Sequence, residues 1–155
     1  MSDKLLDLQD QVRTELLSKD FFEDMQIISE RPHSIADKVA KTVAKLSGLS
    51  ITIVTMEGDQ DDEGLEGARM SVFVDVHVSE KTNINRGASG SGIFATQVVE
   101  KLLEHLHGWK PAASARKLRV VSFGPVEAPG DLLIVNVRFR AVIQFTSSVT
   151  PSEGL

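Results

Sequence analysis

Hydrophobic positions near the start of the chain recur with a helical period. Between Asp3 and Ser18, apolar side chains fall three or four residues apart, at Leu5, Leu8, Val12 and Leu16. This spacing places them along one side of a helix and predicts a first helix that buries that stripe. The same period returns after Pro32, where Ser34 is a suitable N-cap and Gly48 a suitable stop for a second helix. Its apolar stripe is Ile35, Val39, Val43 and Leu46.

The pattern then changes to the period of β-strands. A short strand is possible in "MQIIS", and the β-branched run "LSITIVTM" predicts a longer one. In "RMSVFVDVHVSE" every second residue is apolar, from Met70 to Val78, and the same alternation fills "LLIVNVRFRAVIQF" from Leu133 to Phe145. Before the last run, "LRVVSFGPVEAPGD" reads as a strand followed by a turn at Pro129–Gly130, which predicts a long antiparallel hairpin.

A third helix is predicted from Ile93 to His107, ending at Gly108. Its apolar positions are Phe94, Val98, Leu102 and Leu106, flanked by Val99 and Leu103. Long strands with one polar face suit a sheet whose apolar side is covered by helices. The sequence therefore predicts an α+β fold, with a mostly antiparallel sheet and helices packed on one face. At 155 residues we expect a single domain spanning 1–155.

Two segments are predicted to be flexible loops, at about 57–68 and 81–92. The first contains six acidic residues and three glycines, which favour repulsion and backbone freedom over a fold. Its Asp59, Asp61 and Glu63 alternate as in a calcium loop, but the later glycine and glutamate of such a loop do not line up. We interpret the segment as solvated rather than metal-binding. The C-terminal tail, about 147–155, is expected to be disordered.

Charge and composition limit the classes of function. The net charge of −5 argues against broad attraction to nucleic acid or anionic lipid, and no specific nucleic-acid partner is predicted. Cysteine is absent, which excludes disulfides, thiolate nucleophiles and cysteine-bearing zinc sites. The start of the chain lacks the pattern of a secretory signal, and no apolar run has the length of a membrane span. We expect a protein made in the cytoplasm with no membrane partner.

The segment "NRGASGSGIF" raises the possibility of a phosphate-binding loop. Gly87 and Gly92 have the required spacing, but Ile93 and Phe94 stand where phosphate chemistry needs Lys and Ser or Thr. The pattern Gly90-x-Gly92-x-x-Ala95 fits a dinucleotide fingerprint only out of its strand-turn-helix context. We therefore expect no cofactor. An anion at the following helix N-terminus, assisted by Arg86, stays open as an alternative.

Catalytic residues are not indicated by the remaining polar positions. His105 and His107 are two apart on a helix, so their side chains point to different sides and do not form a metal pair. Asp75 and His77 share one strand face, but no third partner or serine elbow accompanies them. Trp109 is expected to pack against the core after the helix stop. We predict no enzymatic activity and no metal site.

The chain resembles the small tail proteins of tailed bacteriophages and prophages, especially the tail-terminator group. The resemblance rests on the loop "NINRGASGSG", the helix ending "LLEHLHGWKP" and the strand hairpin that follows, over roughly residues 35 to 146. It implies an α/β sandwich and a hexameric ring, found in the virion tail or neck. That ring caps the tail tube, docks it to head-connector and neck proteins, and is not enzymatic. The same resemblance also leaves open a neck protein or another minor tail protein.

A set of partner-binding residues follows from the loop and the polar sheet face. We predict that the loop contacts an adjacent subunit or the tail tube, and that two arginines on the polar face point toward a lumen or partner. These residues are Arg86, Gly87, Ser89, Gly90, Arg138 and Arg140. Two alternatives remain at this stage: a small anion- or nucleotide-binding module that uses the loop at 85–92, and a monomeric adaptor or assembly chaperone.

Overall fold

The protein is described by a computed structural model over residues 3–29, 48–62, 67–87, 92–128 and 130–146. Its helices are α1 (Lys4–Leu17), α2 (Thr82–Asn85) and α3 (Ala95–Leu106), with a short 3-10 turn at Asp20–Phe22. Its strands are β1 (Ile27–Ser29), β2 (Leu49–Asp62), β3 (Gly67–Lys81), β4 (Arg119–Val126) and β5 (Leu132–Thr146). No helix within these ranges is long and apolar enough to cross a membrane.

The five strands form one mixed sheet in the order β1-β2-β3-β5-β4. The pairs β2–β3, β3–β5 and β4–β5 are antiparallel, and β1–β2 is parallel. The prediction of a mostly antiparallel sheet is therefore corrected: helices and strands are both present, but the sheet is mixed. The physical reason is the long connection between β1 and β2, because a parallel pair needs a crossover of about a dozen residues or more.

Helix α1 begins where the sequence predicted. The Asp3 side chain caps it, with Oδ1 accepting hydrogen bonds from the backbone N–H groups of Leu5 and Leu6, each at 3.1 Å. The predicted stripe is largely confirmed, since Leu8, Val12 and Leu16 are fully buried. Leu5, in the first turn of the helix, is 36% exposed, so the stripe packs more tightly toward the end of the helix.

The alternation predicted for β3 and β5 is confirmed by burial. Val76 of β3 lies opposite Val137 of β5, and both are fully buried. Asp75 lies opposite Arg138 on the other face. Helix α1 packs on β1 and β2, and α3 packs on β3 and β5, so these helices share the apolar side with one core cluster. Trp109 packs against that cluster as predicted.

Several predicted segments differ in the structure or lie outside the described ranges. Residues 57–62 continue β2, with Asp59 opposite Ser71 of β3, instead of forming a loop. The acidic side chains are accommodated because Glu57 and Asp59 are exposed while the backbone pairs with β3. Part of the second predicted loop forms α2. The predicted second helix, residues 63–66 and 88–91, and the 147–155 tail lie outside the described residues. The single domain stays a prediction.

Candidate partner-binding surface

A buried carboxylate, Glu80, binds residues on both sides of the glycine-serine loop, which spans residues 85–92. The Glu80 side chain is fully buried; its Oε1 accepts a hydrogen bond from the backbone N–H of Ala95 at 2.8 Å. Its Oε2 accepts one from Arg86 Nε at 2.9 Å. Burial alone would raise the pKa of Glu80, but the hydrogen bonds from Ala95, Arg86 and Asn85 outweigh it and hold the pKa below its ordinary value. The end of β3 is thereby tied to the start of α3.

Two further contacts hold the same region. Asn85 is buried and donates from Nδ2 to the backbone carbonyl of Ile93 at 2.8 Å. The guanidinium of Arg86 lies 4.4 Å from the ring centroid of Phe94, a distance suited to a cation–π contact. Because both sides of the loop meet in these contacts, its two ends are fixed next to each other.

The same contacts weaken the case for an anion site at this helix. The Ala95 amide, which an incoming phosphate would use, already binds the Glu80 carboxylate. The Phe94 N–H is bound by Gln97 Oε1 at 2.8 Å. Arg86, the cation expected to assist, is paired with Glu80. A built-in anion therefore occupies the position at which a helix N-terminus binds external ones.

The loop residues of the predicted site are only partly described. Gly87 lies at the end of the described segment, and a Cβ there would approach the Asn83 carbonyl oxygen to 3.1 Å. A larger residue at this position therefore requires a small shift of the backbone. Ser89 and Gly90 lie outside the described residues. Their predicted role as partner contacts stays a prediction.

Arg138 is held by two carboxylates on the polar face of the sheet. Its Nε and Nη2 bind the two oxygens of Asp75 at 2.8 and 3.0 Å, and Nη2 also binds Glu57 at 3.0 Å. The hydrogen bonds that Arg138 donates to Asp75 have the largest effect on its pKa and raise it. Burial lowers this pKa, and the hydrogen bond to Glu57 raises it further. Burial alone would raise the pKa of Asp75, but bonds from Arg138 and Asn136 outweigh it and lower that pKa. Arg138 therefore joins strands β2, β3 and β5.

Arg140 is the more accessible of the two predicted arginines. Phe73 of β3 lies opposite it, and the guanidinium carbon of Arg140 is 5.7 Å from the Phe73 ring centroid. Arg138 lies over the same ring at 4.4 Å. Arg140 is exposed and forms no ion pair within the described part of the chain. The structure thus separates an arginine that is bound within the sheet from one that is exposed, and the partner-binding role of both stays a prediction.

The histidines and acids do not assemble into a metal site within the described ranges. His107 accepts a hydrogen bond at Nδ1 from the Val120 N–H at 3.1 Å, which fastens the end of α3 to β4. The His105 ring packs edge-on to Phe22, with 6.1 Å between centroids. Asp75 is engaged by Arg138, so its pairing with His77 as an acid–base couple gains no support from the geometry.

Two features were missed by the sequence reasoning. Glu80 was assigned no role, because the sequence shows it only as an acid near the end of β3, and the Ala95 amide that it binds lies 15 residues further along the chain. The exposed apolar side chains of β4 were also missed. The signal there was weak alternation, because Val120, Val121 and Phe123 do not share one face by simple counting.

Comparison with known proteins gives a likeness among solved structures. No family model matches the chain, and no curated protein matches it. Among solved structures, a chain of the virion of a native gene transfer agent (GTA) particle superposes with a TM-score of 0.63 at 15% sequence identity. The alignment covers 88% of this chain and 94% of that chain. At this identity the similarity shows a shared fold, which extends over nearly the whole of both chains.

Proposed function

We propose that this chain is a structural component of a phage-like virion, and that it acts as a tail terminator. In this role it forms a ring, which we expect to be a hexamer, that caps the tail tube and joins it to head-connector and neck proteins. The observation that carries the proposal is the fold shared with a chain of a gene transfer agent virion over 88% of this chain. The loop and hairpin motifs that resemble tail terminators add independent support.

The geometry of the site agrees with a structural role in three ways. The amide and the cation that would bind an external anion are bound to Glu80 instead. On the polar face, Arg138 forms ion pairs with both Asp75 and Glu57, and these pairs link neighbouring strands. Arg140 stays exposed on that face and is suited to a protein partner. We propose Arg140 as the partner-facing arginine, with Arg86 and Arg138 acting through the positions they fix.

The test of the function is the composition and shape of the assemblies. Native mass spectrometry of the purified protein, with electron micrographs of the same sample, should show a closed ring of one size. Mass spectrometry of phage-like particles purified from cells that encode the chain should detect it at a fixed low ratio to the tube protein. A protein that stays monomeric at every concentration and is missing from such particles would instead be an adaptor or chaperone.

A further inference from the structure

A basic groove lies where the start of β4 meets β5. Its cavity has a volume of about 400 Å³ and is lined by valines and by four basic residues, Arg116, Lys117, Arg119 and Arg140. None of the described residues that line it is acidic. The basic groove therefore concentrates positive charge on a chain whose net charge is −5.

Two arginines of the basic groove face each other across a strand pair. Arg119 of β4 lies directly opposite Arg140 of β5, and both are exposed. Like charges directly opposite each other in an antiparallel pair lower stability. Within the described ranges neither arginine forms an ion pair, and neither does Lys117. An anion bound between these side chains would remove the repulsion, so the basic groove is suited to a negatively charged ligand.

The valines of the basic groove favour an acidic protein segment over a phosphate ligand. Val120 and Val121 are 37% and 45% exposed, so the groove offers apolar surface between its charges. Nucleic-acid backbones are bound mainly through basic and polar groups. A protein segment brings both carboxylates and apolar side chains, which together match this lining.

One segment of this chain has the matching chemistry. Residues 57–66, called here the acidic segment, contain six acidic residues and one apolar residue, Leu65. The acidic segment includes the end of β2 and leads to the start of β3, and its Glu57 and Asp59 are exposed. Glu57 binds Arg138 of its own sheet, whereas Asp59 forms no ion pair within the described ranges.

The described part of the acidic segment lies away from the basic groove of its own chain. Strands β5 and β3 separate β4 from β2 in the sheet. Three strand spacings amount to about 14 Å, and Phe73 and Arg140 lie between Glu57 and Arg119 across the sheet. At physiological ionic strength, charges this far apart are largely screened, because the screening length is about 8 Å. The complementary charges are therefore available to different copies of the chain.

We propose that the basic groove of one copy binds the acidic segment of the next copy. This rests on the proposed function, since it names the contact between neighbouring subunits of the ring. The two surfaces lie toward opposite sides of the sheet, so each copy offers a groove to one neighbour and a segment to the other. Such a head-to-tail contact continues until a ring closes. The contact uses exposed side chains and leaves the backbone hydrogen bonds of Leu118 with residues 108 and 109 in place.

Charge reversal tests the contact in assembly. One variant combines Arg119→Glu with Arg140→Glu in the basic groove, and the other combines Asp59→Lys with Asp61→Lys in the acidic segment. Each variant alone should assemble at least about tenfold more weakly in sedimentation, because like charges then meet. Mixed in equal amounts, the two should assemble again, into rings with an even number of subunits. Assembly that is unchanged in both variants, or that does not return when folded variants are mixed, would overturn the contact.

Matched controls are available elsewhere on the surface. Lys110→Glu and Glu100→Lys reverse exposed charges outside the basic groove and the acidic segment, and should assemble like the wild type. The groove variant keeps two like charges opposite each other, so its strand pair carries the same kind of repulsion as the wild type. Circular dichroism of each variant identifies misfolding.

A neutral substitution separates a partner contact from a structural role. Arg119→Gln removes one of two opposed like charges, so the urea midpoint of dilute protein should stay the same or rise. The same variant should assemble more weakly, because the basic groove has lost a cation. A lower midpoint with normal assembly would mean that Arg119 serves the fold of its own chain, and would overturn its place in the contact.

Binding of a labelled peptide tests the chemistry of the ligand. A peptide of residues 57–66 should bind the wild type, and should bind the variant Arg119→Gln with Arg140→Gln at least about tenfold more weakly in fluorescence anisotropy. Equal binding to both proteins would overturn the basic groove as the site. A single-stranded oligonucleotide that binds the wild type more tightly than the peptide, and loses binding in the variant, would assign the groove to a phosphate ligand instead.

The outcomes separate this contact from the function. Wild-type rings that persist in both charge-reversal variants would overturn the contact while leaving the tail-terminator role intact. A wild-type protein that forms no ring, but binds the peptide through the basic groove, would overturn the function and keep the contact. A wild-type protein that does neither would overturn both.

Discussion

At the residue scale, Arg138 gives the sharpest test of what holds the polar face together. We expect Arg138→Met to lower the free energy of unfolding by about 2–3 kcal/mol, because Asp75 is only 7% exposed and would lose its charged partner. Arg140→Met removes the same type of side chain two residues away at an exposed position, and should change the free energy of unfolding by no more than about 0.5 kcal/mol. Urea unfolding of both variants makes the comparison; equal effects would contradict the assignment of Arg138 as structural.

Glu80 should make stability depend on pH. Its pKa in the folded protein lies below the ordinary value of 4.5, so its contribution is complete above that pH and is lost as pH falls through the folded value. Glu80→Gln should therefore be destabilised by about 1–3 kcal/mol at about pH 7, with a gap to the wild type that narrows below about pH 4.5. Denaturant midpoints measured across that range test this.

A control for Glu80 is available on α3. Glu100→Gln alters an exposed acid and should stay within about 0.5 kcal/mol of the wild type throughout. If the difference in unfolding free energy between Glu80→Gln and the wild type grew as the pH fell, the ionised form of Glu80 would not be the one that its partners stabilise. Arg86, which the sequence predicted as a partner contact, is subject to the same reasoning: Arg86→Glu would place a second acid beside the buried Glu80 and lower stability whether or not a partner is present.

At the scale of elements, α1 tests the stripe that the sequence predicted. Leu16→Ala removes a fully buried side chain and should cost about 2–5 kcal/mol of unfolding free energy. Leu5→Ala makes the same substitution in the same helix at a position that is 36% exposed, and should cost clearly less. Thermal and urea unfolding of the two variants should separate them, and similar losses would show that the helix packs along its whole length.

Elements were predictable from the sequence where one local pattern decided them. The alternation of Val72, Val74, Val76 and Val78 sets the buried face of β3, and the stripe of α1 sets its buried side. The end of β2 was not predictable in this way. Acids and glycines at 57–62 favour a loop locally, but β3 offers backbone partners along that length, and long-range pairing decides. The parallel β1–β2 pair is likewise a property of chain topology.

The candidate site was less predictable than the elements, for a related reason. Arg138 and Arg140 have the same local pattern, and only the register of β2 and β3 against β5 gives Arg138 two carboxylate partners. Glu80 binds the backbone N–H of Ala95 at the start of α3 only because the fold brings together two residues that are 15 positions apart in the sequence. Residue type indicated charge on a surface, while the fold decided which charges are already neutralised and which remain for a partner.

At the scale of the whole molecule, assembly should appear in the melting temperature. An association that occurs only between folded copies stabilises the folded state by mass action, so the melting temperature rises with protein concentration. A tenfold increase is worth about 1.4 kcal/mol for one interface per subunit, which is about 3–6 °C for a chain of this size. Differential scanning fluorimetry over a hundredfold range of protein concentration measures this rise in melting temperature. A wild-type melting temperature that is constant across that range would argue against a ring.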